Sequence, residues 1–196
     1  MSKGAQTKQR IVAQAAVVFN TQGFHGASIG DLVRAAGIEK GGLYNHFASK
    51  EDLALAAFDY AIAQVSERYR VALADKQAAR ERLLTIVGIF AGYVTDPEPA
   101  LPGGCPLLNT AIEHDEGDTP LRARARSAMT DWHKLIGSTV KHGVHQGEFQ
   151  PDVDPREVAT IVTSLLEGAL MLSRLYDDPV YMQRALAHIE RYITQL

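Results

Sequence analysis

Within eleven residues, from Lys40 to Lys50, the chain sets out Lys40, Tyr44, Asn45, His46 and Lys50 with no carboxylate among them. Such a set is equipped to read a nucleic-acid duplex. A lysine ammonium suits guanine O6 or N7 and an asparagine amide suits adenine N6 and N7, which makes Lys40 and Asn45 the candidates for base edges. Tyr44 and His46 can donate to phosphate oxygens or touch thymine methyls; phosphate contacts fix position rather than sequence. Lys50 falls in the first turn of an expected helix, whose free backbone amides join the ammonium in an anion site suited to a phosphate. Ser28, opening an earlier helix, offers the same arrangement, and Gly41 and Gly42 complete the candidate interface.

Charge divides along the same line. Residues 1–50 carry six basic and two acidic side chains, a net of +4, so the remainder of this chain of net charge −3 stands at −7. A basic end on an acidic body fits a protein of which one end meets a polyanion. With 196 residues and 46% hydrophobic content the chain is long enough for one or two packed domains and too apolar for a disordered one. Its single cysteine, Cys105, cannot pair within the chain, which favours a reducing cytoplasm. The polar N-terminus and the lack of a run of about 18 apolar residues give no reason to expect secretion or a membrane span.

Other chemistry is sparse. Cys105 follows Gly103-Gly104 and precedes Pro106 at an expected helix start, where the dipole and the glycines suit an accessible thiol able to sense oxidants or electrophiles, beside the commoner reading of a free cysteine as a small buried hydrophobe. His142, His145 and Glu148 follow one another at i+3 steps, but imidazoles near a helix C-terminus are favoured without a metal, and neither metal nor cofactor is expected. No Gly-x-Ser-x-Gly, phosphate loop or dinucleotide fingerprint occurs, so no catalytic residues are assigned.

Helices must position these groups. Apolar residues at Ile11, Ala15, Val18 and Phe19 predict a first helix over 8–21 with Gly23 as its cap. Ser28 and Asp31 form a capping box for a two-turn helix ending at Gly37, and Lys40–Phe47 gives a third short helix with Leu43 and Phe47 on its inner side. Two short helices joined by a glycine turn make a helix-turn-helix, with Phe24, Leu32, Val33, Leu43 and Phe47 as its core. A second capping box at Ser49–Asp52 opens a helix of about 24 residues. Further helices are expected over 78–94, 106–114, 120–146, 155–176 and 179–193, separated by Pro- and Gly-rich breaks. The helix from Pro155 is apolar around most of its circumference and must be buried on nearly all sides. Period-two alternation is absent, so no sheet is expected.

The segment Gly37-Ile38-Glu39-Lys40-Gly41-Gly42-Leu43-Tyr44-Asn45-His46-Phe47, followed by Ser49-Lys50-Glu51-Asp52-Leu53, resembles the third helix and the start of the fourth in the TetR family of bacterial transcriptional regulators. The likeness reaches back through Gly23-Phe24 and Ser28-Ile29 and covers about the first 60 residues. Glu39 departs from the usual Ser or Thr cap, and Gly42 stands where Thr or Ala is common. The resemblance implies an all-α fold of about nine helices, with a helix-turn-helix DNA-binding domain over 1–48 and a ligand-binding and dimerisation domain over 49–196. It also implies a homodimer joined through the last two helices, a palindromic double-stranded DNA operator, and a small-molecule inducer received in the C-terminal body. Candidate ligand-binding residues there are Phe90, Tyr93, Cys105, Leu108, Asn109, Met129, Trp132 and Met171. Two alternatives stand beside an apolar inducer: a thiol sensor built on Cys105, and a DNA-binding factor that takes no ligand.

Overall fold

The computed structural model describes residues 2–97, 99 and 101–196, and among these it has nine helices and no strand. They are α1 (Lys3–Gly26), α2 (Ile29–Ala36), α3 (Lys40–Tyr44), α4 (Lys50–Ala72), α5 (Ala79–Thr95), α6 (Pro106–Glu113), α7 (Pro120–Gln146), α8 (Pro155–Leu175) and α9 (Val180–Gln195). The all-α class and the number of helices are those expected. Two boundaries moved for identifiable reasons. Ser2 caps α1 by accepting from the Ala5 amide at 3.3 Å, so the helix starts five residues before the first apolar position of its stripe would require. α3 ends at Tyr44 rather than Phe47, with Asn45 at its C-cap.

Contacts divide the chain into two compact units, residues 1–65 with 100–128 and residues 66–99 with 129–196. The division passes within α4 and α7. It differs from the boundary expected after residue 48, because α6 is held to α1 by side-chain hydrogen bonds that no local pattern announces. The first unit buries Ile11, Ala15, Leu32, Leu43, Phe47, Leu53 and Leu101 in one core. Phe24 and Val33, expected in that core, are half-buried at its margin.

The second unit packs α5, α8 and α9 together around Ile86, Phe90, Leu166, Leu170, Met182, Ile189 and Ile193. The chain by itself does not cover α8 all round: Met171 and Leu175 are 51% and 68% exposed on its outer side. By length and composition α8 is apolar enough to cross a membrane, although Thr, Ser and charged residues interrupt its apolar run. Its opposite side is core, with Val158, Val162, Leu166 and Leu170 almost fully buried.

Candidate functional site

α2 and α3 are set by local chemistry. The Ser28 hydroxyl accepts from the Asp31 amide at 3.1 Å, while the Asp31 carboxylate accepts from the Ser28 amide at 3.1 Å and hydroxyl at 2.5 Å. These bonds, the Ser28 hydroxyl first, hold the Asp31 carboxyl below the usual carboxylate range. At the other end Gly37 adopts the left-handed conformation (φ 61°, ψ 44°), which turns the chain into α3. Glu39 occupies the N-cap of α3 without making a side-chain capping bond. The amide that a Ser or Thr cap would take is thus left without that side-chain bond.

α3 buries Leu43, and just beyond its end Phe47 is buried too, so the helix is pinned by that side. Lys40, Gly41, Tyr44 and Asn45 are exposed, Tyr44 to 46%, and His46 is half-buried. Gly42 is half-buried over Ile38, with a Cβ placed on it 3.8 Å from the Ile38 Cβ, whereas a Cβ on Gly41 meets nothing within 4 Å. A glycine in a helix costs roughly 0.5–1 kcal/mol relative to alanine, and packing within the chain does not require the one at Gly41. Ser49 caps α4 as expected, its hydroxyl accepting from the Asp52 amide at 3.0 Å, but the reciprocal bond runs from the Ala48 amide to Asp52 at 3.2 Å. The Lys50 ammonium donates to the Phe24 carbonyl and lies 4.5 Å from the centre of the Phe24 ring.

Phe24 belongs to a hinge that sequence reasoning missed. Gly23 breaks α1 at φ 75° and ψ 167°, a conformation open to glycine, and the amides after such a break lack helical partners. Glu113 supplies them: its carboxylate accepts from the Phe24 amide at 2.6 Å and from the His25 amide at 2.8 Å. A second tie lies one turn earlier. The Asn20 amide group donates to the Pro102 and Gly104 carbonyls at 2.7 and 2.9 Å, and that of Asn109 donates to the Asn20 Oδ1 at 3.0 Å and to the Gly103 carbonyl at 3.0 Å. Asn109, expected to orient a ligand, is therefore a brace between α6 and α1. Nothing local marks Glu113; as the last residue of a short helix it reads as an ordinary surface charge.

The candidate ligand residues fall into two sets. In the second unit Phe90 meets Tyr93 edge-on at 5.3 Å and Trp132 at 6.1 Å, and Tyr69 meets Trp132 at 5.3 Å. The Trp132 indole donates to the Thr163 hydroxyl at 2.9 Å, which fixes its edge on α8. Met129 is half-buried in the same unit. Met171 does not join them: at 51% exposure it lies on the outer side of α8, because α5 and α9 occupy the inner side. Leu108, Asn109 and Cys105 belong to the first unit. Cys105 stands at the N-cap of α6 as expected and is 6% exposed, which fits the small buried hydrophobe and not the accessible thiol.

Glu148 is committed elsewhere than to a metal. Its carboxylate accepts from the Ala79 and Arg80 amides at 2.9 and 3.2 Å, bonds that cap α5 and hold its carboxyl below the usual range. Among the described residues no three His, Cys, Asp or Glu side chains converge to hold a metal ion.

An exposed helix edge carrying Lys, Tyr and Asn, pinned behind a glycine turn, defines a helix-turn-helix regulator of transcription. Residues 11–57 match the family described as "Bacterial regulatory proteins, tetR family", and residues 79–189 match "Tetracyclin repressor-like, C-terminal domain". The chain belongs to the TetR family. It is 44% identical to a TetR transcriptional regulator from Chloroflexus aurantiacus, covering 100% of this chain and 98% of that one with a TM-score of 0.93. A TetR-family regulator from Cytophaga hutchinsonii is 34% identical over 98% of this chain and 96% of its own, with a TM-score of 0.89. The fold is shared further with the TetR-family regulator CifR, solved as a cysteine mutant with a 26-bp double-stranded operator DNA, at 24% identity, 94% coverage of each chain and a TM-score of 0.77.

Proposed function

We propose that the chain is a ligand-responsive repressor that binds a palindromic DNA operator as a homodimer and leaves it when a small apolar inducer occupies the second unit. Residues 1–48 act as the reading head and residues 49–196 as the receiving and pairing body, working in the bacterial cytoplasm. The observation that carries this reading is the exposed edge of α3, where Lys40, Gly41, Tyr44 and Asn45 share solvent while Leu43 is buried behind them. Lys40 and Asn45 read base edges; Tyr44, His46, Lys50 and Ser28 hold phosphates; Gly41 and Gly42 let the helix backbone approach the groove. Pairing is supported by Met171 and Leu175 on the outer side of α8, side chains that a second copy covers through α8 and α9. The inducer is placed among Phe90, Tyr93, Met129 and Trp132, rings and a thioether of the kind that adapt to an apolar ligand. Burial of Cys105 removes the accessibility on which thiol sensing depends.

The test is footprinting of upstream DNA by the purified protein at moderate salt, with its mass measured in solution. Two protected half-sites related by a two-fold axis and a dimeric mass are expected. A monomer without preference among duplexes refutes the reading.

A further inference from the structure

We propose that the cleft walled by α1, α4 and α6 in the first unit binds a small neutral molecule carrying a hydroxyl group on an apolar body. This site is separate from the inducer pocket placed in the second unit. It encloses a cavity of about 40 Å³, about three times the roughly 10–15 Å³ that one water requires. The cleft opens to solvent, so a longer molecule projects from its mouth. Phe19, Phe24, Phe58 and Ala57 supply apolar walls, with the Phe19 and Phe24 rings stacked at 6.0 Å. His114 lines the same cleft at only 7% exposure, and its Nε2 has no hydrogen-bond partner among the described residues.

A buried imidazole nitrogen left unbonded is costly, and a hydroxyl satisfies it in either tautomer because it both donates and accepts. Charge narrows the ligand class further. The Glu113 carboxylate stands on the same wall and repels a carboxylate or phosphate. It offers little to an ammonium either, since its two oxygens already accept from the Phe24 and His25 amides, and a buried cation would lose its hydration against three rings. The wall residue Phe24 has its amide held by Glu113 and its carbonyl by Lys50, so an occupant of the cleft presses on the hinge that leads into α2.

The experiment titrates the full chain with phenol and, in parallel, with toluene, which has a methyl in place of the hydroxyl, while proton–carbon NMR follows the His114 ring. Phenol is expected to shift the His114 resonance saturably and to bind about tenfold more tightly than toluene. His114→Phe should bring the two ligands to equal affinity, and Thr110→Met, which narrows the cleft from α6 and leaves the imidazole in place, should weaken both. Binding is read without DNA, so the result stands apart from the operator reading. The proposal is overturned if His114 does not respond, which leaves the cleft to water alone, or if phenol and toluene titrate alike. It is equally overturned if benzylamine binds more tightly than phenol, or if phenol quenches Trp132 in the second unit while the His114 resonance stays fixed.

Discussion

Replacing Gly41 with alanine separates the stability of α3 from its use. In the free protein the added methyl meets no atom within 4 Å, so the substitution brings no clash and removes the entropic cost of a helical glycine. Gly41 is the second residue of a five-residue helix, so the gain belongs at the low end of the usual range, about 0.5 kcal/mol. For a chain of this size that raises the melting temperature by about 1–2 °C. On the operator the sign reverses. If the α3 backbone at Gly41 lies against the groove, the methyl occupies space meant for DNA, and affinity should fall by about tenfold or more, about 1.4 kcal/mol. Gly42→Ala is the control: its methyl would meet Ile38 at an ordinary 3.8 Å on the protein's own side, so it should gain stability with a smaller loss of binding. Thermal unfolding and fluorescence anisotropy with a labelled operator read both quantities on the same samples. A Gly41→Ala protein that melts higher and binds DNA like the parent refutes the close approach; one that melts lower refutes the account of open space around α3.

Glu113→Gln leaves one oxygen for two amides and turns an N–H donor toward the other, so unfolding should become easier by about 1–2 kcal/mol, measured by denaturant melts of both proteins. Asn45→Ala should lower discrimination at one operator position by about 1–3 kcal/mol, whereas Tyr44→Ala weakens all sequences alike; a panel of single-base operator variants tells the two apart. For Glu148 the direction of the pH effect is fixed by its lowered carboxyl pKa, caused first by the Ala79 amide. Its stabilisation is present above the ordinary value of about 4.5 and is lost as pH falls through the lower folded-state value. The stability gap between parent and Glu148→Gln should therefore be constant near neutrality and close below pH 4.5; a gap that persists unchanged into acid contradicts the capping role.

How much of this could be read from the sequence depends on how far each interaction reaches along the chain. The helices announced themselves because their causes are local: a stripe such as Ile11, Ala15 and Val18, a Ser28–Asp31 box, a left-handed Gly37. The outer face of α3 was legible for the same reason, since exposure there follows from Leu43 and Phe47 being apolar at helical spacing. The apolar circumference of α8 was legible too, but which side the chain itself leaves open is not, because that depends on where α5 and α9 pack.

What stayed hidden is joined across long separations. Glu113 and the Phe24 amide are 89 residues apart, and Asn109 and Asn20 likewise; no periodicity encodes such a pairing. The burial of Cys105 was hidden for the same reason: its flanking glycines suit an open loop, while the Asn20 bonds, from far along the chain, and the Asn109 bond tie that loop to α1 and α6. The turn leading into α2 is held at its amides by α6 and at a carbonyl by the first residue of α4. Any displacement of α6 along its axis must then either carry Phe24 with it or break two charge-assisted bonds. Through those bonds α6 and the turn that leads into α2 are mechanically joined.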